Sequence, residues 1–355
     1  MSPIREQAYQ AAAARNALVQ HLRAIAAQRS LRSLGGLLAF FFRRAVLRRD
    51  IPFQVTLSLT DRCVFRCRHC HRPAPGDGPL PEMTTDEVRS AIDQIRKLGA
   101  YMVIFTGGEP LLRPDIHEII RHARRHHLTT HIQSTGWTVD RRSALALKRA
   151  GLHRFAVSLD DADPRLHDEI RGLPGAQRRA LDAIGHMREA GIHVIGNCCV
   201  SKRLMVPDAR GTTGFDKVLA LARAHGAAGF LVLGFVAAGR SEGAFGQVLD
   251  ASDSAEIRRY QRLTFFRLEF ASARTNCEAY RKLLLYIAPD GRVTPCPYVP
   301  FALGTLREEP LEALWKRYTD RMNLVLRNAC PMNDPENRER IRGFIADVAR
   351  SAEGR

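Results

Sequence analysis

The 355-residue chain carries 54 lysines and arginines against 37 aspartates and glutamates, a formal net charge of +17, and 45% of its residues are hydrophobic. That length and apolar content provide for one large domain plus a smaller one around a buried core, and they exclude a chain dominated by disorder. The charge favours an anionic substrate or partner without naming it.

Residues 1–50 read as a basic helical extension. The apolar stretch Leu37-Leu-Ala-Phe-Phe-Phe42 runs into Arg43, Arg44, Arg48 and Arg49. Such a helix either packs its apolar face on the body of the protein with the arginines in water, or makes peripheral contact with an anionic membrane surface or an acidic partner. The packed arrangement is the expected one. The longest apolar run, Leu34 to Phe42, is far short of the roughly 20 residues of a membrane-crossing helix. Eight cysteines with no signal peptide ahead of them favour metal ligation over disulfides, and predict a cytoplasmic, oxygen-sensitive protein.

From residue 51 short apolar runs alternate with helical stretches, the rhythm of βα units around parallel strands. Strands are expected at Phe53 to Leu59, Tyr101 to Thr106, Thr129 to Ser134, Arg154 to Leu159, His193 to Val200 and Phe230 to Val236. Helices are expected at Thr85 to Leu98, Asp115 to His126, Arg141 to Ala150, Ala176 to Ala190 and Phe215 to His225, with Gly99, Gly151 and Gly191 closing three of them. Six units over residues 51–270 make an α/β fold, a partial (β/α)6 TIM-like barrel, whose chemistry belongs at the C-terminal ends of the strands.

Directly after the first strand stand Cys63, Cys67 and Cys70, spaced C-x3-C-x2-C. A loop this short can fold three thiolates around one face of an iron-sulfur cube and offers no fourth ligand, so one iron stays open. A structural zinc knuckle ordinarily takes four ligands. The triplet resembles the cluster loop of the radical S-adenosylmethionine (radical SAM) superfamily, in which the open iron of a [4Fe-4S] cluster chelates SAM.

Other strand ends carry the resemblance further. Thr106-Gly-Gly-Glu-Pro110 resembles the GGEP motif, where Gly107 and Gly108 let the backbone approach SAM and main-chain or Glu109 oxygens receive its ammonium. By the same resemblance Ser134, Ser158 and Asp160 contact the SAM ribose and carboxylate, Arg171 pairs with the carboxylate, and Asn197 reaches the nucleoside. His69 takes the place of an aromatic residue that stacks on adenine, a departure an imidazole can tolerate. Taken singly, the serines and Asp160 are equally ordinary cap or turn residues, and Arg171 equally a surface arginine. Alternation turns one of Cys198 and Cys199 inward and one outward, and both read first as small apolar fillers.

Residues 271–355 break the rhythm. Cys277 precedes a strand-like run at Leu283 to Ala288, the turn Pro289-Asp-Gly291, a second strand from Arg292, and Cys296; a helix from Pro310 to Tyr318 and Cys330 follow. The Pro-Asp-Gly turn predicts a hairpin that brings Cys277 and Cys296 to one end. The segment resembles the auxiliary-cluster domain of SPASM and twitch radical SAM enzymes, with Cys277, Cys296 and Cys330 as ligands of one auxiliary [4Fe-4S] cluster and Asn333 and Asp334 as candidate oxygen ligands.

The resemblance implies an enzyme that cleaves SAM reductively to a 5'-deoxyadenosyl radical and takes a hydrogen atom from a biosynthetic substrate. The auxiliary cluster would assist a net oxidation or rearrangement, and an electron donor such as flavodoxin or ferredoxin would supply the cluster. A small, anionic molecule is the leading substrate class. A ribosomal-peptide maturase acting on a peptide substrate and a molybdenum-cofactor-like cyclase are the enzyme alternatives, and a metal-binding regulatory protein is the non-enzyme one.

Overall fold

The computed structural model describes residues 19, 22, 31–72, 81–262, 266–269, 279, 282–299, 302–321 and 331–333. Seven strands lie parallel in chain order: β1 (Gln54–Ser58), β2 (Met102–Thr106), β3 (Thr129–Ser134), β4 (Arg154–Ser158), β5 (His193–Val200), β6 (Phe230–Gly234) and β7 (Phe266–Glu269). Alternation sorts each of the first six. Val55, Leu57, Val103, Phe105, Ile132, Phe155 and Val157 form one apolar layer with the helices, and the intervening Thr56, Ile104, His131 and Arg154 stand in register on the other face. The first six strands fall where the sequence places them; β7 extends the barrel by a strand that its short, charged run does not announce.

The helices before and between them are α1 (Leu31–Phe41), α2 (Thr85–Leu98), α3 (Ile116–Arg125), α4 (Arg141–Ala150), α5 (Pro164–Arg171), α6 (Ala176–Glu189), α7 (Lys202–Met205) and α8 (Gly214–Ala224). Thr84 and Asp140 open α2 and α4 with reciprocal capping bonds, and Gly99 closes α2 at a φ of 95°. Helix α5, absent from the sequence reading, has its own signals: Asp163 caps it, Pro164 occupies its first turn, and Gly172 ends it.

The C-terminal hairpin continues the barrel sheet. β8 (Leu284–Ile287) pairs parallel with the free edge of β1, and β9 (Arg292–Thr294) and β10 (Gly304–Thr305) follow antiparallel, giving a ten-stranded sheet ordered β10-β9-β8-β1 through β7. Gly291 takes the left-handed position of the predicted turn, at a φ of 88°. Two further helices complete the described structure, α9 (Ala251–Arg258) and α10 (Leu311–Arg321). Leu314, Trp315 and Tyr318 of α10 join the main core, and Trp315 Nε1 donates to Asp50 O at 2.6 Å.

The extension packs one face on the barrel, as expected, and leaves the other open. Leu37 and Phe40 of α1 are buried against Ile51, Tyr101 and Met102, while Leu38, Phe41, Phe42, Val46 and Leu47 are exposed among the arginines. Among the described residues, no helix is long and apolar enough to cross a membrane.

Candidate active site

The cysteine loop crosses the C-terminal ends of the strands and is fastened from two sides. On one side Gly108 N donates to Thr60 O (2.8 Å) and Glu109 N to Arg62 O (2.9 Å). On the other, Arg66 N donates to Arg171 O (3.2 Å) and Arg68 N to Ile170 O (2.9 Å), so loop amides satisfy carbonyls that the end of α5 leaves without helical partners. The first contact accounts for both glycines. A Cβ on Gly107 would overlap Thr60 O, and one on Gly108 would overlap Arg62 O and stand 2.7 Å from Arg62 C. The two loops touch because neither position has a side chain.

Cys63 is exposed, Cys67 buried and Cys70 half-buried. Phe65 N donates to Cys63 Sγ at 3.4 Å, and Arg171 Nη1 to Cys67 Sγ at 3.7 Å. Burial pushes the Cys67 thiol up; Arg171 opposes this, and Asp160 and Cys70 add to it. Ligation requires the thiolate, so binding of a positively charged centre here releases the thiol protons. Among the described residues, three ligand atoms lie within 4.8 Å of one another only at Asp93, His122 and His126. At least one pair of the three sulfurs is therefore more than 4.8 Å apart, a spacing open enough for a cluster.

Arg171 and Asp160 are both buried. Arg171 Nε and Nη2 donate to Asp160 Oδ2 at 2.6 and 2.5 Å, Cys199 N donates to Asp160 Oδ1 at 2.9 Å, and Asp160 N donates to His167 Nδ1 at 3.1 Å. Burial alone would raise the Asp160 carboxyl; the Arg171 guanidinium, joined by His69, His167 and Cys199 N–H, overrides it and holds Asp160 down at about 2. Asp160 in turn keeps the Arg171 charge in place against burial. A fixed ion pair thus links β4, β5, α5 and the cluster loop. His69 Nε2 stands 3.9 Å from Asp160 Oδ2. Burial lowers its pKa to about 4, against the pull of Asp160, so the ring is neutral at pH 7 and keeps a flat, uncharged face.

Glu109 is wholly buried and its carboxylate is fully engaged. It accepts from Ser134 Oγ (2.8 Å), Thr135 N (2.9 Å), Thr135 Oγ1 (2.6 Å) and Leu111 N (3.2 Å), while Ser134 Oγ also accepts from Gly136 N (2.9 Å). Glu109 and Ser134 therefore tie the ends of β2 and β3 together. Thr135 and His167 do comparable work and were missed in the sequence, where only their neighbours fell in motifs. Glu109→Gln, which turns an amide donor toward these donors, is expected to lower unfolding stability by about 2 kcal/mol, read from the urea midpoint.

Bonding capacity remains at the mouth. Asn197 Oδ1 is buried without a hydrogen-bond partner, and Asn197 is paired with Ser158 across β4 and β5. Cys199 lies half-buried on that same face, and Cys198 is buried among the outer apolar side chains.

Cys277, Cys330 and Asp334 lie outside the described residues; Cys296 is half-buried and packs on the main core. Tyr298 and Met332, each two residues past a predicted ligand, meet in one cluster with Val236 and Ala238 beyond β6. The Tyr298 ring stands 5.3 Å from that of His71, next to Cys70, and Asn333 Nδ2 donates to Phe235 O at 3.3 Å. The hairpin and the segment after Cys330 thus converge beside the cysteine loop.

A family model described as the radical SAM superfamily matches residues 57–208, and one described as an iron-sulfur cluster-binding domain (SPASM) matches residues 277–337. The chain belongs to the radical SAM superfamily. This radical SAM protein is 29% identical over 304 residues to the AdoMet-dependent heme synthase of Methanosarcina barkeri, covering 75% of this chain and 83% of that protein. It is 32% identical over 176 residues to the PqqA peptide cyclase of Gluconobacter oxydans, covering 50% of this chain and 47% of that protein. Among solved structures, Streptococcus suis SuiB bound to precursor peptide SuiA shares the fold with a TM-score of 0.62 at 15% identity, covering 80% of this chain and 69% of that chain. The chain is thus a radical SAM enzyme with an iron-sulfur cluster, SAM and an auxiliary-cluster domain as its equipment.

Proposed function

We propose that this enzyme takes a hydrogen atom from a carboxylate-bearing small molecule, with the iron tetrapyrroles as the first substrate class to test. The observation that carries the substrate class is coverage. The similarity to a heme synthase runs through most of both chains, whereas the similarity to a peptide cyclase stops at about half of each. The +17 charge supports an anionic substrate. A peptide is the second reading, favoured by the likeness to the peptide-bound SuiB fold.

In this reading residues 51–270 form the SAM site, residues 271–355 the auxiliary-cluster domain, and residues 1–50 a basic extension. Cys63, Cys67 and Cys70 hold the cluster; Cys277, Cys296 and Cys330 hold the auxiliary one. Bound there, the cluster and SAM supply a 5'-deoxyadenosyl radical. The chain's own residues orient what is bound. The Gly107-Gly108 turn brings its main chain to the cluster loop, Asn197, beside Ser158, offers an unspent hydrogen-bonding atom to the nucleoside, and His69 offers a neutral ring to the base. Glu109, Ser134, Asp160 and Arg171 hold these groups in place. The convergence of Tyr298 with His71 sets the auxiliary domain at the mouth, suited to receiving an electron from an oxidised substrate, while a flavodoxin or ferredoxin supplies the starting electron.

Two measurements test this. Reconstituted protein is expected to hold about eight irons per chain, falling to about four in Cys296→Ala; about four in both would remove the auxiliary cluster. With an iron coproporphyrin deuterated on its propionate side chains, deuterium is expected in 5'-deoxyadenosine. Transfer from a peptide instead would replace the tetrapyrrole reading.

A further inference from the structure

On the outer surface, away from the cysteine loop, a second cluster of ligand-type side chains joins two barrel helices. We infer that Asp93, His122 and His126 form a binding site for a divalent transition-metal ion of the zinc, nickel or cobalt class.

His122 and His126 are four residues apart at the end of α3 and so lie on one face. Asp93 meets them from α2. His122 Nε2 stands 2.6 Å and His126 Nε2 3.0 Å from the same oxygen, Asp93 Oδ1, and all three ligand atoms lie within 4.8 Å of one another. Ligands sharing an ion through bonds of about 2.0–2.2 Å sit about 3.0–3.5 Å apart. The His126–Asp93 separation already lies at the near edge of that range, and the His122–Asp93 separation needs to open by about 0.4–0.9 Å. The rings are already brought together, with centroids 4.7 Å apart and planes tilted 46°.

The donor set, two imidazoles and one carboxylate, is that of borderline divalent ions rather than of calcium or magnesium, which prefer oxygen alone. Asp93 is half-exposed at 51% and His126 at 36%, leaving an entry path and room for water to complete the coordination. Two further features favour a cation. The site lies at the C-terminal end of α3, where the helix dipole is negative. The neighbouring Arg124 is occupied elsewhere, with Nη1 2.8 Å from His153 Nε2.

The place in the fold sets the role. α3 ends just before β3 begins, at the end of the barrel opposite the cysteine loop. An ion there staples α2 to α3 and takes no part in the reaction at the mouth.

The test uses anaerobic, cluster-loaded enzyme, whose ligand cysteines are occupied, titrated with zinc ion against a chromophoric chelator. The wild type is expected to take up one equivalent more at micromolar zinc than either His122→Ala or His126→Ala. Zinc is expected to raise the melting temperature of the wild type but not of the variants, with SAM cleavage unchanged in all three. Equal zinc uptake and equal thermal response in the wild type and both variants would overturn the inference, as would a wild type that takes up no zinc.

Discussion

Replacing Gly108 with alanine is expected to lift the cysteine loop off the barrel, deplete the iron held there, and cut SAM cleavage by about 100-fold or more, the scale associated with a displacement of about 1 Å. The new Cβ would overlap Arg62 O and stand 2.7 Å from Arg62 C, both backbone atoms, so no rotamer change relieves it. The loop must retreat, and its two bonds to Gly108 N and Glu109 N lengthen together. Gly185, within α6, is the matched control. A Cβ there meets nothing within 4 Å, and alanine is expected to be neutral or to stabilise by about 0.5–1 kcal/mol. Iron content, 5'-deoxyadenosine release and the urea midpoint of both variants check the contrast. A Gly108→Ala protein with full iron and full turnover would mean that the loop contact does not position the cysteines.

Asp160→Asn is the second large effect, about 3–5 kcal/mol of lost stability, because it leaves the buried Arg171 guanidinium without its counter-charge. The pH dependence identifies the cause. Asp160 is held at about 2 in the folded protein, below the unfolded value of about 3.9. The pair's stabilisation is therefore fully present above about pH 4 and lost as the pH falls toward 2. The gap in unfolding free energy between wild type and variant should be constant from pH 5 to 8 and should narrow in acid. A gap independent of pH down to 2 would assign the loss to packing instead.

These two sites also show what the sequence can and cannot convey. The strands and most helices follow from apolar periodicity and glycine stops, which are local. Helix α5 escaped because its eight residues carry little apolar pattern, although Asp163, Pro164 and Gly172 mark its ends. The attachment of β8 to β1 escaped because it joins segments some two hundred residues apart through backbone pairing that no motif encodes. At the mouth, the identities of Glu109, Ser134, Asp160 and Arg171 were legible and their partners were not. The structure commits Glu109 to Ser134 and Thr135, and Arg171 to Asp160 and Cys67. It leaves Asn197 Oδ1 still to satisfy. Residue type announces the chemistry available at a strand end, while tertiary packing decides which atoms remain unspent.

The exposed half of the basic extension follows the same logic. Its helical periodicity was visible, but one face packs on the barrel and the other stays open with its arginines. Removing Arg48 and Arg49 alone is expected to change stability by no more than about 0.5 kcal/mol, because both side chains stand away from the core.

The central claim is that Cys63, Cys67 and Cys70 hold an open-iron cluster that cleaves SAM. Anaerobically reconstituted protein, given SAM and dithionite, is predicted to be brown and to release 5'-deoxyadenosine and methionine, with Cys67→Ala releasing neither. Colourless protein that binds zinc through this loop and leaves SAM intact would contradict it.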